Sequence, residues 1–397
     1  MRGKVFTVQL ASFLLITVII HYLDIYFIRF CDEVLYIKAG EAYLRGVPPI
    51  FINFEHPPLA KYLIGFFYII KLGSYLPLIT ILLSVFLMSK IISQYLDKIY
   101  AYLYTIVVIT DTLIINMLHF NLLDQVALIF TSAFIYAVLK FDLTKGCSKS
   151  NKEFLILGLL MGLALASKWS SAYVVLPALI TACLFRRYWI KSCGLYLLLC
   201  IAFSSYIATF AMDFIDGGPQ LFIKHNIEMI KYMIWRHSIT LPLVINGFLT
   251  LIGKVSFWSH QYHEYLTLII ANSTYINYTA SVLKMGELLI EFNCWLGSFA
   301  WPLMFYYSLK LIYDSIKSRD NTWAVISLAI LGSALLPILH GNIAWYYLFY
   351  AVFAPIAIVK YASRKLLVAI IIANITQVAL LKLGILNTTY SFSLNMS

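Results

Sequence analysis

The residues best suited to chemistry lie in the loop 24–59, between the first apolar segment of the sequence and the next. The loop contains an acidic pair, Asp32 and Glu33, and later His56, with Lys61 just beyond its end. Charged groups beside a membrane are energetically costly, and they commonly mark a functional site. A carboxylate can accept the proton of a hydroxyl group, and Lys or His can stabilise charge on a departing phosphate.

Two further charged residues stand at the ends of later apolar segments. Asp124 begins one such segment and Lys168 ends another, and Gly158 and Gly162 precede Lys168 at helical spacing. Small residues at this spacing permit two helices to approach closely. Taken alone, an exposed acidic pair is usually solvated surface, and a Lys at a span end usually extends to the lipid headgroups. The functional interpretation therefore depends on all of these charged residues lying on one face of the membrane.

The composition predicts an all-α, polytopic membrane protein. Of the 397 residues, 62% are hydrophobic and 12% are charged, whereas a soluble domain has roughly 25% charged residues. Apolar runs of about 20 residues recur along the chain, and each is long enough to cross a bilayer as a helix. The net charge of +11 indicates Lys and Arg on the cytoplasmic side rather than nucleic-acid binding.

The distribution of Lys and Arg predicts the topology. Arg2 and Lys4 put the N-terminus in the cytoplasm and the acidic loop outside. If 59–74 crossed the membrane, the later basic clusters would lie outside, so we expect a juxtamembrane helix there. The prediction is then about 11 transmembrane helices with the C-terminus outside. They span 5–23, 75–93, 99–116, 125–141, 153–169, 172–186, 193–212, 295–312, 322–339, 345–361 and 366–383.

Three regions follow from this topology. Residues 1–212 form a transmembrane module with the catalytic loop 24–59, residues 213–294 an external segment, and residues 295–397 the last transmembrane helices. The external segment contains an amphipathic stretch, predicted to be a surface helix, and an apolar run at 240–257. A pair of extra crossings within it is left open.

The chemistry-bearing motifs resemble the dolichyl-phosphate-mannose protein O-mannosyltransferase family, which belongs to the GT-C superfamily of membrane glycosyltransferases. The resemblance covers about residues 5–180 well and is looser at 292–295 and 346–355. Its motifs are Asp32-Glu33 with Tyr36, His56-Pro57-Pro58-Leu59-Ala60-Lys61, Leu122-Leu123-Asp124 and Gly162 with Ser167-Lys168-Trp169. The β-trefoil domain of the eukaryotic members has no counterpart here, which indicates a prokaryotic, archaeal type.

The resemblance implies a GT-C-type helical bundle with an extracytoplasmic active site. Asp32 would be the catalytic base on a Ser or Thr hydroxyl of a protein acceptor, with Glu33 supporting it. The donor, a polyprenyl-phosphate sugar, would contact a set of donor-site residues, namely His56, Lys61, Asp124 and Lys168. No metal or other cofactor is expected, and a dimer is left open. Weaker candidates are His119, which stands near the family's usual Arg, and Arg236, His237 and His340.

Two alternatives remain. The first is a lipid-modifying GT-C transferase resembling the lipid A aminoarabinose transferases, in which Lys usually precedes the prolines at the place of His56. The second is a non-catalytic transporter of lipid-linked sugars, which predicts polar residues at mid-membrane on several spans. Asp111 is the clearest such residue here.

Overall fold

The computed structural model describes ten parts of the chain: residues 32–141, 147–185, 192–236, 251, 256–262, 288–294, 298–318, 320–340, 344–383 and 389–394. Several predictions lie outside these residues, among them the first span at 5–23 and His237. Arg236 and His340 each end a described helix, but their side chains are not among the described ones.

The described residues form fifteen α-helices. They are α1 (Asp32–Leu44), α2 (Leu59–Ile69), α3 (Leu76–Tyr95), α4 (Lys98–Ile109), α5 (Thr112–Met117), α6 (Leu123–Lys140), α7 (Cys147–Ser167), α8 (Ala172–Phe185), α9 (Ser192–Ala208), α10 (Ala211–Arg236), α11 (Trp301–Ser318), α12 (Asn321–His340), α13 (Leu348–Phe353), α14 (Pro355–Tyr361) and α15 (Arg364–Lys382). Short 3₁₀ helices occupy Pro49–Phe51, Gly73–Tyr75, Trp169–Ser171 and Ala344–Tyr347. The all-α class is confirmed.

Four helices in the described part of the chain are long and apolar enough to cross a membrane. They are Gly73–Tyr95, Leu123–Lys140, Asn321–Leu339 and Arg364–Lys382. A bent pair, Gly194–Ala208 and Ala211–Met233, makes five if it is counted as one span. Helices also overlap the other predicted spans that are described, although several are shorter than a bilayer requires. The count of eleven therefore stays a prediction.

Helix α2 is too short to span a bilayer. Its 11 residues extend about 17 Å at the α-helical rise, against a hydrocarbon core of about 30 Å. This length agrees with the juxtamembrane helix predicted at 59–74. The helix packs against α1 through two glycines, because a Cβ on Gly65 would lie 2.3 Å from the carbonyl carbon of Gly40. Only residues without a side chain permit this approach, which holds α1 directly against α2.

The predicted span 99–116 is wrong as one continuous helix. Helix α4 ends at Ile109, and Asp111 caps α5 by accepting hydrogen bonds from the backbone N–H groups of Leu113 at 2.9 Å and Ile114 at 3.4 Å. An Asp at an N-cap satisfies donors that the start of a helix leaves unpaired. The other carboxylate oxygen accepts from Trp301 Nε1 at 2.8 Å. Asp111 therefore joins this break to α11.

The predicted span 345–361 is also divided into short pieces. The 3₁₀ helix Ala344–Tyr347 leads into α13, and Pro355 begins α14. All residues from 346 to 359 are buried, so this segment forms the centre of the bundle. Tyr104 on α4 donates from its hydroxyl to the Val352 carbonyl at 2.9 Å. This contact satisfies a buried polar group and ties the centre to α4.

Small residues on α7 permit its close packing on α9, as their spacing predicted. A Cβ on Gly158 would lie 2.5 Å from the Leu198 carbonyl oxygen, and one on Gly162 would lie 2.4 Å from that of Ala202. Helix α7 ends at Ser167, directly before Lys168. The contact with α9 therefore fixes the position of the end of α7, where Lys168 follows.

Helix α10 turns away from α9 by 104° and so lies roughly across it. The path bends again at Gly217 and Gly218, of which Gly218 has a φ of +63°, a conformation that glycine adopts without steric penalty. The amphipathic stretch beginning at Gln220 was predicted to be a surface helix, and it forms the second part of α10.

A three-stranded antiparallel sheet adds to the helical bundle. Its strands are β1 (Ser256–Tyr262), β2 (Leu288–Cys294) and β3 (Thr389–Leu394), in the order β1-β2-β3. Ser256 pairs with Cys294, and Leu288 pairs with Leu394. Strand β2 contains Asn293 and Cys294, which belong to the stretch 292–295 where the resemblance is looser. The sheet joins two strands of the segment 213–294, which was predicted to be external, to a strand of the C-terminal region. The apolar pattern did not predict this pairing.

Candidate functional site

The centre of the site is a buried ion pair between two predicted residues. Lys168 Nζ lies 2.7 Å from Asp124 Oδ2, and the two side chains are 3% and 2% exposed. The Lys168 ammonium also lies 4.6 Å from the centroid of the Tyr346 ring, within reach of a cation–π contact. The pair joins the start of α6 to the turn after α7, two segments that lie far apart in the sequence.

The backbone before α6 is held by Gln125, which sets the position of Asp124. Gln125 Oε1 accepts a hydrogen bond from the Leu122 N–H at 2.8 Å, and its Nε2 donates to the Met117 carbonyl at 2.5 Å. The turn between α5 and α6 is therefore closed by a single side chain. This turn contains His119, which is half-buried, and Asn121, which is buried.

Glu33 attaches the acidic pair to this same turn. One oxygen of its carboxylate, Oε1, accepts from both the Asn121 backbone N–H and the Asn121 Nδ2, each at 2.9 Å. Hydrogen bonds to a charged acceptor are stronger than neutral ones. Because Asn121 and Asp124 are three residues apart, Glu33 brings the start of α1 beside the Asp124–Lys168 pair.

Asp32 begins α1 and is half-buried. Its Oδ2 accepts a hydrogen bond from the Tyr36 hydroxyl at 3.4 Å, one helical turn away. The charges of Asp32 and Asp124 are close enough to interact. The structure thus brings Asp32, Glu33, Asp124 and Lys168 together.

His56 and Lys61 hold the far end of the acidic loop. The Lys61 side chain is fully buried, and its ammonium donates to the carbonyls of Asn53 and His56, the latter at 2.8 Å. Burial lowers the pKa of Lys61 to about 7, and the charge of Glu55 opposes this shift. The ammonium also lies 3.5 Å from the Tyr43 hydroxyl of α1. Its role in donor binding stays a prediction.

His56 lies beside α1. Its ring is edge-on to Tyr36, with the centroids 6.5 Å apart, and Tyr36 is the residue that contacts Asp32. His56 is therefore one aromatic contact away from the acidic pair. Its role in donor binding also stays a prediction.

A second buried pair, between Asp213 and His225, holds the middle of the loop. Asp213 lies at the start of α10 and His225 further along it, with Oδ2 and Nδ1 2.6 Å apart. The other Asp213 oxygen accepts from the Ile50 N–H at 3.3 Å, and His225 Nε2 lies 3.2 Å from the Phe54 carbonyl oxygen. Sequence reasoning missed both residues. A carboxylate at the end of a span followed by a His on an amphipathic helix was the available signal.

The turn after Lys168 is held in a similar way. Trp169 Nε1 donates to the Tyr206 hydroxyl at 3.0 Å, and that hydroxyl donates to Asn226 Oδ1 at 2.8 Å. Asn226 follows His225 directly on α10. Two consecutive residues of one helix therefore hold two segments: His225 contacts the acidic loop at Phe54, and Asn226 contacts the turn after Lys168 through Tyr206.

The comparisons with known proteins concern both the sequence and the fold. Residues 55–210 match the model of the family described as dolichyl-phosphate-mannose-protein mannosyltransferase. ArnT from Cupriavidus metallidurans bound to undecaprenyl phosphate has a similar fold, with a TM-score of 0.57 and 14% identity over 89% of this chain and 60% of that chain. For ArnT from the same organism in the apo state the TM-score is 0.58 and the identity 12%, over 97% of this chain and 66% of that chain.

A comparison with curated protein sequences gives no match. The chain spans less than two thirds of the length of either ArnT chain. The family resemblance inferred from the motifs is confirmed over residues 55–210. The helical bundle has the GT-C fold that ArnT also has, and its apolar helices identify an integral membrane protein.

Proposed function

We propose that this protein is a membrane glycosyltransferase, because it has a GT-C fold and the family's sequence pattern over residues 55–210. It transfers a sugar, mannose, from a polyprenyl phosphate to a Ser or Thr hydroxyl of a protein. The anomeric configuration is inverted, and transfer takes place on the extracytoplasmic face, with the N-terminus in the cytoplasm. The bilayer supplies the donor.

The observation that carries this proposal is the junction at Asn121. Glu33 binds Asn121 twice, and Asp124, three residues later, pairs with Lys168. Two carboxylates from the starts of two helices and one ammonium from the turn after a third are thereby gathered in one region. Proton transfer requires groups within hydrogen-bond reach of a substrate atom or one water away. Charged groups gathered in one region favour such a reaction.

The roles follow from the contacts. Asp32 is the base, because the family resemblance assigns that role to this position and its half-buried side chain begins α1 directly before Glu33. Glu33 is an anchor for α1, because its Oε1 is committed to Asn121. Lys168 faces the donor phosphate. Asp124 neutralises its charge, so an arriving phosphate meets a neutral pair that it must reorganise.

The reaction balances without an oxidant or a second cofactor. The acceptor hydroxyl oxygen attacks the anomeric carbon, and the bond between that carbon and the phosphate oxygen breaks. Asp32 takes the hydroxyl proton, and the polyprenyl phosphate leaves with the electron pair. Lys168 then stabilises the developing phosphate charge in a site of low dielectric, where such contacts are strong.

The test offers reconstituted vesicles a polyprenyl-phosphate mannose labelled in the sugar, together with a Ser/Thr-rich acceptor peptide. We expect label in the peptide. Label transferred only to a second lipid, distinct from the polyprenyl-phosphate donor, would replace the protein acceptor by the lipid-modifying alternative. Labelled donor that only changes leaflet, with no transfer, would support the transporter alternative and overturn the proposal.

The lipid carrier is tested in the same assay with two donors of different polyprenol type. A dolichyl carrier is what the family description names, whereas undecaprenyl phosphate is the lipid bound in the ArnT structure of similar fold. We propose a polyprenyl phosphate in either case, and the faster donor identifies the natural carrier.

A further inference from the structure

We propose that α10 is a positioning element for the site, and that two consecutive residues, His225 and Asn226, hold its two walls. One wall is the loop 48–56, which leads to His56 and Lys61. The other is the Lys168 turn, which we define as residues 168–171. Within the described part of the chain, the hydrogen bonds of His225 and Asn226 are with Asp213, Phe54, Tyr206 and Phe222. The two residues therefore act through other residues rather than on a substrate.

The first connection runs from His225 to the loop. His225 Nδ1 lies 2.6 Å from Asp213 Oδ2 and His225 Nε2 lies 3.2 Å from the Phe54 carbonyl oxygen. Asp213 Oδ1 accepts from the Ile50 N–H at 3.3 Å. The Asp213–His225 pair therefore contacts the loop at two backbone positions four residues apart.

The hydrogen-bond requirements of these atoms fix the protons of the pair. A carbonyl oxygen only accepts, so Nε2 carries a proton toward Phe54. A second proton lies between Nδ1 and Asp213 Oδ2, since two acceptors would otherwise face each other. The pair is therefore neutral as a whole, which permits both side chains to be fully buried. Truncating either residue leaves the other buried without its partner.

The second connection runs from Asn226 to the Lys168 turn. Asn226 Oδ1 accepts from Tyr206, and Tyr206 accepts from Trp169 Nε1, at 2.8 and 3.0 Å. Asn226 Nδ2 donates to the Phe222 carbonyl at 2.9 Å, which fixes the orientation of the amide. The Trp169 side chain, next to Lys168, is thereby fixed relative to α10.

The two connections meet on one turn of one helix, so a displacement of α10 moves both walls. Helix α10 joins the preceding helix through a 104° bend and contains the break at Gly217-Gly218. This inference concerns the geometry of the site and does not require the proposed reaction. Only the kinetic measurement below rests on the proposed function.

Amide hydrogen exchange on the purified, reconstituted protein tests the first connection. In Asp213→Ala and His225→Ala we expect exchange in residues 48–56 to be about tenfold faster, because the Ile50 amide loses its acceptor or the group that holds that acceptor. In His225→Gln the side-chain N–H can still reach the Phe54 carbonyl, so we expect smaller acceleration. Exchange in 48–56 that equals wild type in both Asp213→Ala and His225→Ala overturns the proposal.

The second connection is tested with a matched pair of variants at Asn226. In Asn226→Ala we expect faster exchange in residues 168–171. Asn226→Asp keeps an acceptor for Tyr206 but loses the donor to Phe222, so we expect a rate between those of Asn226→Ala and wild type. Lys231→Ala is the control on the same helix, since that side chain is 66% exposed and pairs only with Glu228 in the described contacts. Equal exchange in Asn226→Ala and Lys231→Ala would overturn this half of the proposal.

The kinetic measurement uses the conservative variants, which are chosen to retain folding. If transfer occurs, His225→Gln and Asn226→Ala lower kcat/KM by about tenfold, and Asn226→Asp recovers part of that loss. Faster exchange together with unchanged transfer would show that the walls are held as proposed and that catalysis does not require them. An absence of transfer in wild type, with the exchange result intact, refutes the proposed function alone.

Discussion

Lys168 and Asp124 form a buried ion pair, with Nζ 2.7 Å from Oδ2. The two residues lie 44 positions apart, at the start of α6 and in the turn after α7, and Glu33 anchors the start of α1 beside them through Asn121. Its neutrality permits both charges to remain in a site that is almost closed to solvent.

Removing one partner of this pair is predicted to destabilise the protein more than removing both. We expect Lys168→Met or Asp124→Leu to lower the free energy of unfolding by about 3–5 kcal/mol, because each leaves one buried charge alone. The double variant should recover most of that loss. Thermal unfolding in detergent measures the difference, and additive losses in the double variant would contradict the ion-pair account.

The Glu33 anchor is predicted to depend on acceptor capacity more than on charge. Glu33→Gln keeps an oxygen that can accept from Asn121, so we expect a loss of less than about 1 kcal/mol. Glu33→Ala removes the acceptor for both N–H groups and should lower the free energy of unfolding by about 2 kcal/mol. The comparison is made by thermal unfolding, and equal losses for the two variants would assign the contact to charge alone.

The close approach of α1 and α2 is predicted to require glycine. In Gly65→Ala the new Cβ would lie 2.3 Å from a Gly40 backbone atom, so the helices must separate. We expect a loss of about 1–3 kcal/mol, the usual range for overpacking. Ile69→Ala, on an exposed position of the same helix, is the control and should change stability little. A Gly65→Ala protein as stable as this control would refute the contact.

The buried ammonium of Lys61 predicts a pH dependence of stability. Its pKa is about 7 in the folded protein and near 10.5 when the chain is unfolded. Between these values the unfolded chain binds the proton more tightly, so the contribution of this group to stability rises with pH and is lost as the pH falls toward 7. We expect the melting temperature of wild type relative to Lys61→Met to increase from pH 7 to pH 10. A difference that does not vary with pH would contradict the shift.

The sequence predicted the helical class and most helix positions, because apolar runs are local signals. It also singled out the four residues near Asn121, since charged residues at the ends of apolar segments are local signals too; these are Asp32, Glu33, Asp124 and Lys168. It did not predict the break at Asp111, since a capping carboxylate and its Trp301 partner belong to distant segments. The Asp213–His225 pair was missed for the same reason, and so was the sheet. Each depends on contacts between residues that no spacing rule connects.

The central claim is that Asp32 removes the acceptor proton beside the Asp124–Lys168 pair. The direct measurement is the rate of sugar transfer by Asp32→Asn in vesicles, compared with wild type and with Glu41→Gln, a partly exposed acidic position on the same helix. The account predicts a loss of about 10²–10⁴-fold for Asp32→Asn, the usual contribution of a general base, and a near wild-type rate for Glu41→Gln. Transfer by Asp32→Asn at the wild-type rate would contradict it.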